Sequence, residues 1–316
     1  TSGDPEIQAA ALVGMGRIYY EQGEYAAALD ELRLLLESYP DSQFRAAAYF
    51  YQAQIYAALQ RWFDAADAYM GYITLRPGVI DAYVYEQRGD ALFSAGDYAG
   101  AMLDYQAALN SPRLETNFTL EIKLARAYTY TGDSATALVM YDDIFARTGS
   151  DYVKAQVKYL QGHTYLAVGQ LDAGYAAYLY AVDNYPTTYD AYLALVELVN
   201  AGYPVNEMQR GIVDYYAGEY GVAIAALDRY LLAPADPATA LYFKGLCLRA
   251  VDDAAGAIAQ WDAVIIGYAG ASLWDRAWEN KAYTQWAYLD QYLEGQQTLT
   301  SFVANVPQHP RAPEFQ

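Results

Sequence analysis

The amino-acid sequence predicts an all-α protein built from repeated helix pairs. Three observations support this fold class: one phrase recurs roughly every 34–38 residues, its apolar residues follow helical spacing, and Gly or Pro separates the helices. The phrase is an apolar helix with a small central residue, a Gly-acidic-Tyr turn, a second helix that begins with Ala, and a closing Pro. Each pair leaves an apolar face open, so neighbouring pairs must stack to complete the core.

The first copy shows the phrase most clearly. Gly16 and Tyr19 lie in its first helix, Gly23-Glu24-Tyr25 forms its turn, Ala28 lies in its second helix and Pro40 closes it. These residues match the tetratricopeptide repeat in type and spacing, and the chain resembles that family. The resemblance implies a right-handed α-α superhelix of about eight helix pairs.

The repeats predict a single solenoid over residues 1–316, interrupted by one inserted helix. That helix is predicted at 188–201, because the spacing changes after Pro186. The break Ala201-Gly202-Tyr203-Pro204 follows it and predicts a hinge at 201–205. The helix pairs themselves are predicted at residues 9–42, 46–79, 82–112, 118–149, 155–187, 204–236, 238–268 and 276–307.

Composition excludes several function classes. The chain has 19 basic and 38 acidic residues and a net charge of -19, so it would repel a phosphate backbone, and nucleic acid is not expected as a partner. The acidic residues are scattered, which is typical of solvated outer faces. The 35 tyrosines are expected to fill space beside helix crossings, each with its hydroxyl at a wet edge. Cys247 is the only cysteine, so no intrachain disulfide can form.

Catalytic and metal-binding signatures are absent from the sequence. The two histidines, His163 and His309, lie in different repeats, and neither has a Cys or carboxylate cluster at ligand spacing. There is no Gly-rich phosphate loop and no serine elbow. We therefore predict that the chain is not an enzyme and carries no metal or cofactor. It also has no apolar run of about eighteen residues that could cross a bilayer.

A binding face is predicted from the family resemblance. In tetratricopeptide proteins the first helix of each pair lines a concave groove that holds extended peptides. Flat aromatic residues beside hydrogen-bonding groups would suit apolar peptide segments or sugar rings. The alternative is that about half of these residues only pack against the next repeat. The resemblance places on this face Arg17, Tyr20, Phe50, Gln54, Tyr83, Glu86, Asp90, Phe93, Arg126, Tyr130, Tyr159 and His163.

A narrower resemblance covers residues 195–220. A lone helix is followed by Gly202-Tyr203-Pro204-Val205, and Arg210-Gly211 then opens the next helix. This order resembles the non-catalytic helical region of bacterial soluble lytic transglycosylases, which act on peptidoglycan. The resemblance implies a helical arm in the bacterial periplasm or envelope, with the catalytic domain C-terminal to this chain and any signal peptide or lipid anchor removed.

Two functional hypotheses remain open at this point. The first is that helical arm, holding a peptidoglycan glycan strand or a partner. The second is a self-contained adaptor for protein partners in envelope or outer-membrane assembly, which the junction Tyr39-Pro40-Asp41-Ser42 favours because such adaptors share it. The cytoplasm is the alternative location.

Overall fold

A computed structural model describes residues 4–111 and 117–315. These residues form seventeen α-helices and one short 3-10 helix and contain no strand, so the predicted all-α class of consecutive helix pairs is confirmed. The chain divides into two compact units, the first ending at Thr148 and the second beginning at Gly149. Pro112, the predicted end of the third repeat, lies outside the described residues.

The first unit contains four helix pairs, and in each pair the two helices pack against each other. Its helices are α1 Pro5–Glu21, α2 Tyr25–Ser38, α3 Arg45–Ala58, α4 Trp62–Leu75, α5 Asp81–Ser94, α6 Tyr98–Asn110, α7 Phe118–Tyr130 and α8 Ser134–Arg147.

The second unit contains nine α-helices among its described residues. They are α9 Asp151–Ala167, α10 Leu171–Asn184, α11 Tyr189–Asn200, α12 Glu207–Ala217, α13 Tyr220–Tyr230, α14 Pro237–Ala250, α15 Ala254–Gly267, α16 Trp274–Tyr288 and α17 Tyr292–Asn305. The 3-10 helix Ala312–Phe315 packs against α17.

The turns within the pairs have the predicted left-handed residue. Gly23 has φ 78°, and Gly96 has φ 86° at the same point of its repeat. A left-handed residue ends the first helix without a Cβ clash when it is glycine. Three repeats place a non-glycine residue there instead, namely Gln60, Asp252 and Asp290.

Small residues on the first helix let large side chains of the second approach closely. A Cβ added at Gly16 would lie 2.7 Å from Leu32 Cγ, and one added at Gly89 would lie 2.6 Å from Tyr105 Cε1. Neither position has room for a side chain, which explains the small central residue of the repeat. The same second-helix position is buried in seven repeats, where it is Leu32, Tyr69, Tyr105, Tyr141, Tyr178, Leu227 and Trp261.

Tyrosine fills the core, as predicted from its abundance, but the hydroxyl is not always at a wet edge. Tyr105 is only 2% exposed, and its hydroxyl donates to Asp90 Oδ1 at 2.9 Å. The prediction of a solvated hydroxyl is therefore wrong for Tyr105. The buried group needs a partner, and the neighbouring helix supplies a carboxylate.

The inserted helix predicted at 188–201 corresponds to α11. It packs against α9, α10 and α12 and buries Leu195 and Leu198. The break after it contains Gly202 with φ 66°, and the Tyr203 ring packs on that of Tyr175 with centroids 5.0 Å apart. The hinge at 201–205 stays a prediction. None of the helices among the described residues is both long and apolar enough to span a membrane.

Candidate functional site

The candidate site of the first unit lies on the first helices of its four pairs. The predicted residues of α1, α3, α5 and α7 are half-buried or exposed, with Tyr83 44% and Tyr130 56% exposed. Side chains of this kind are available to a ligand, whereas fully buried ones are not. Their role as a binding face stays a prediction.

The first group of side chains is a cluster of rings from four helices, α1, α3, α4 and α5. The Tyr20 ring of α1 lies 6.2 Å from the Tyr51 ring of α3, measured between centroids. Phe50, beside Tyr51, lies 6.2 Å from the Tyr83 ring of α5 and 5.7 Å from that of Tyr72. Burial, followed by neighbouring tyrosines, raises the pKa of Tyr20, so its hydroxyl stays neutral near pH 7.

A second ring cluster lies at the other end of α5. Phe93 packs edge-on against Tyr130 of α7 with centroids 5.3 Å apart, and Tyr98 stacks on Tyr130 at 4.6 Å. The Arg126 guanidinium lies 5.1 Å from the centre of the Phe93 ring, within the range of a cation-π contact. The two ring clusters together are called the aromatic face below.

Charged residues lie between the two ring clusters. Lys123 Nζ donates to Glu86 Oε1 at 3.0 Å and to Asp90 Oδ2 at 2.7 Å, which links α7 to α5. Burial disfavours the charged ammonium, but its hydrogen bonds to the two carboxylates outweigh burial and raise the Lys123 pKa. Lys123 therefore stays protonated near pH 7 and holds Glu86 and Asp90 in place.

A cavity of about 420 Å³ opens beside this charged network. Phe93 and Tyr105 supply its aromatic walls, while Asp90, Lys123 and Arg126 supply its charges. Both an apolar side chain and a hydrogen-bonding backbone group would find a complement there.

The remaining predicted residues contribute less. Arg17 is exposed and pairs with Glu21 on its own helix at 2.8 Å. Gln54 is half-buried on α3 and has no side-chain hydrogen bond to a described residue. The exposed Arg17–Glu21 pair contributes little to stability, so Arg17 does not hold the fold together.

Tyr159 and His163 belong to the second unit and lie on α9. Their ring centroids are 4.6 Å apart, and both rings pack on the buried Tyr178, at 5.7 and 5.6 Å. His163 is exposed and Tyr159 is half-buried.

The sequence analysis missed several residues of these faces. Lys123 and Tyr51 complete the first unit's site, although neither was predicted. In the second unit, the Tyr215 and Phe243 rings lie 5.7 Å apart, and the Arg249 guanidinium lies 5.4 Å from the Tyr283 ring centre. Tyr215 and Arg249 could have been predicted from the repeat spacing. Each lies four residues after the small central residue of its repeat, the position that Tyr20 holds in the first repeat.

Metal ligands do not gather in the described parts of the chain. No three His, Cys, Asp or Glu side chains within residues 4–111 and 117–315 come close enough together to hold a metal ion. Cys247 is buried, and burial, followed by the charge of Asp214, raises the pKa of its thiol to about 12.

Comparison with known proteins identifies the repeats. Residues 10–42 match one tetratricopeptide repeat model, and residues 208–272 match another. The first match covers most of α1 and all of α2, and the second covers nearly all of α12 and the whole of α13, α14 and α15. The chain therefore contains tetratricopeptide repeats. No curated protein matches it.

Several solved structures are similar to the chain. A tetratricopeptide repeat protein from Parabacteroides merdae is 14% identical with a TM-score of 0.48, over 88% of this chain and 99% of that one. The C-terminal part of a repeat-containing protein from Cytophaga hutchinsonii is 16% identical with a TM-score of 0.47, over 84% and 98%. The apo quorum sensor NprR from B. thuringiensis is 17% identical with a TM-score of 0.46, over 97% and 89%.

Proposed function

We propose that this chain, which contains tetratricopeptide repeats, is a non-catalytic module that binds an extended protein segment on the aromatic face. The observation that carries the proposal is the order of side chains along α5. Tyr83 belongs to the first ring cluster, Glu86 and Asp90 to the charged network, and Phe93 to the second ring cluster. A ligand on this face would meet apolar, polar and apolar surfaces in turn.

The spacing of the two clusters fits a short peptide. Tyr83 and Phe93 are about ten residues apart on one helix, so their Cα atoms are separated by about 15 Å at 1.5 Å per residue. An extended chain covers that distance in about five residues. The ligand would therefore place two apolar side chains about five residues apart, with its backbone over Glu86, Asp90 and Lys123.

Exposed rings favour such a ligand energetically. Tyr83 and Tyr130 are rigid, amphipathic side chains that lose little conformational entropy on binding, and residues of this kind supply much of the affinity in protein interfaces. The charged network is already paired, so it offers hydrogen bonds and does not demand a charged ligand.

A selection experiment tests the proposal. A random peptide library displayed on phage would be panned on the intact chain, and the binding of a recovered peptide would be mapped by amide hydrogen exchange. We expect recovered peptides with two apolar residues about five apart, and protection confined to α3, α5 and α7. Protection confined to second helices such as α4 and α6, or the recovery of no peptide, would refute this site.

We propose further that this peptide-binding module serves as a self-contained adaptor in bacterial envelope or outer-membrane assembly. The junction after α2, where Tyr39 Oη donates to Gln8 Oε1 at 2.6 Å and Ser42 Oγ donates to Glu6 Oε2 at 3.1 Å, ties α1 to the start of the next pair. Adaptors of this kind share the junction Tyr39-Pro40-Asp41-Ser42, which supports the proposal.

A second candidate is the helical arm of a lytic transglycosylase that holds a peptidoglycan strand in the periplasm. It is supported by the exposed rings, since sugar C-H faces stack on tyrosine, and by the order of α11, the break at 201–206 and α12. Titration with muropeptides by calorimetry separates the candidates. Glycan binding that weakens in folded Phe50→Ala or Tyr159→Ala would favour the transglycosylase arm. The absence of any heat of binding would favour the adaptor.

A further inference from the structure

The turn between α4 and α5 carries two exposed apolar side chains. Val79 is 64% exposed and Ile80 is 38% exposed. The turn contains the left-handed Gly78, with φ 81°, and is braced by the Gly78 N–H, which donates to Asp81 Oδ2 at 2.8 Å. Neighbouring apolar residues on a fixed turn form a ridge that a partner can bury without ordering a loop. Val79 and Ile80 are called the ridge below.

A cavity lies on each side of the ridge. The first has a volume of about 380 Å³ and is lined by Phe50, Tyr72 and Arg76 among other residues. The second has a volume of about 580 Å³, and its lining includes Tyr83 and Glu86. Val79 and Ile80 line both cavities, so the ridge is their common wall.

The two cavities carry opposite charges. Arg76 is the one charged residue among the described residues that line the first cavity, and its guanidinium makes no ion pair or hydrogen bond with any described residue. The second cavity is lined by the carboxylates of Asp81 and Glu86, of which Glu86 already pairs with Lys123 at 3.0 Å. In a chain of net charge -19, the first cavity is a local exception that attracts a negative group.

We propose that the ridge and its two cavities receive a protein segment in which a bulky apolar residue is flanked by an acidic residue on one side and a basic residue on the other. The apolar side chain packs on Val79 and Ile80, the acid pairs with Arg76, and the base lies over Asp81. In an extended chain, residues two apart point to the same face and are separated by about 6.5 Å, so the acid and the base each lie two positions from the apolar residue, one before it and one after it. This inference rests on the proposed function, whose partner chemistry it specifies.

Synthetic peptides provide the test. Fluorescein-labelled peptides in a Gly/Ser background would differ only at three alternate positions, written here without the Gly that separates each from the next: Glu-Phe-Lys, Lys-Phe-Glu, Gln-Phe-Gln, Lys-Phe-Lys and Glu-Ser-Lys. Attraction to the net charge alone predicts tightest binding of Lys-Phe-Lys. The proposal predicts that one of the two mixed-charge phenylalanine peptides binds at least about tenfold more tightly than the other four by fluorescence anisotropy at about 150 mM salt.

Two variants with matched controls assign the contacts. Arg76→Glu should lose the preference for the acidic residue, and Val79→Ser should weaken the favoured peptide by about tenfold. The controls are Arg33→Glu, whose side chain is 65% exposed on α2, and Val139→Ser, which is 70% exposed on α8. All four positions are exposed, so circular dichroism should show an unchanged fold.

Equal binding of the favoured peptide by Arg76→Glu and Arg33→Glu would overturn the proposal, as would tightest binding of Lys-Phe-Lys. Failure here is distinguishable from failure of the proposed function. If peptides from the library bind the aromatic face and Arg76→Glu does not affect them, only this inference fails. If no library peptide binds the intact chain, the proposed function fails with it.

Discussion

At the scale of single residues, the turns show which features of the repeat are required and which are tolerated. Gly23 and Gln60 hold the same position, and both are left-handed, with φ 78° and 57°. A side chain there costs about 1 kcal/mol or more, because Cβ crowds the backbone. The sequence shows only that the second repeat lacks the turn glycine. The structure adds that Gln60 takes the left-handed conformation there and carries this strain.

The two positions allow a reciprocal substitution. Gln60→Gly should stabilise the protein by up to about 1 kcal/mol, because it relieves the left-handed strain, while Gly23→Ala should destabilise it by a similar amount. Urea unfolding followed by circular dichroism would measure both free energies. A loss of stability in Gln60→Gly would contradict the account of this turn.

Buried carboxyls predict how stability depends on pH. Asp104 has a side chain only 7% exposed and accepts a hydrogen bond from Arg88 Nη1 at 3.2 Å. Burial raises the pKa of Asp104 to about 6, more than the charge of Arg88 lowers it. Asp214, paired loosely with Arg210 at 3.7 Å, has its pKa raised to about 6 for the same reason.

The sign of the effect follows from proton binding. The folded protein holds a proton on these carboxyls up to about pH 6, whereas unfolded Asp loses it near pH 4, so lowering the pH favours the folded state between these values. We expect a higher Tm at about pH 5.5 than at about pH 7.5, with at most about 1 kcal/mol from each carboxyl. Asp104→Asn should reduce this difference, whereas the exposed-site control Asp67→Asn should not. The same pH dependence in both variants would contradict the assignment.

At the scale of helices and helix pairs, the sequence best predicted where the two helices of a pair approach each other closely. Gly89→Ala should destabilise the protein by about 1–3 kcal/mol, because its Cβ would overlap the buried Tyr105 ring. Gly14→Ala is the matched control: Gly14 also lies within a helix, but no atom lies within 4 Å of its added Cβ. That control should be neutral or slightly stabilising. Thermal unfolding of both variants gives the comparison, and equal losses would refute the packing argument.

The C-terminal 3-10 helix is held by one arginine. Arg311 Nη1 donates to Asp275 Oδ2 at 3.1 Å, and Nη2 donates to Glu279 Oε2 at 3.0 Å. The same guanidinium lies 4.8 Å from the centre of the Phe315 ring, which packs on Phe302 at 4.9 Å. These contacts join the end of the second unit to α16 and α17.

Removing Arg311 should therefore loosen the end of the second unit. We expect Arg311→Ala to cost about 1–3 kcal/mol, because the guanidinium is mostly buried and Asp275 would lose its partner. Four of the five tryptophans lie in this unit, so urea unfolding followed by tryptophan fluorescence reports on it. Arg33→Ala, which removes an exposed pair, is the control and should change little. Equal effects in both variants would contradict the role of Arg311.

At the scale of the whole molecule, the helix pairs were predictable because each repeats the same spacing of small and large residues. The site was predictable only in part. Arg17, Gln54 and Asp90 hold corresponding inner positions, each one residue after the small central residue of its repeat. Lys123 is placed by pairing with carboxylates of a different repeat, and no periodicity reveals that. Val79 and Ile80 lie in a turn, outside any helical pattern. The same turn contains the hydrogen bond from Gly78 N–H to Asp81 Oδ2.

The measurement that tests the central claim most directly is the affinity of a library-selected peptide for two double variants of the intact chain. Tyr83→Ala with Tyr130→Ala removes exposed rings from the aromatic face, and Phe63→Ala with Leu103→Ala removes side chains of similar exposure from α4 and α6. Binding on the aromatic face predicts that the first pair weakens the affinity by about a hundredfold or more and that the second leaves it within about twofold. Equal affinity of the two double variants, with both folded, would contradict it.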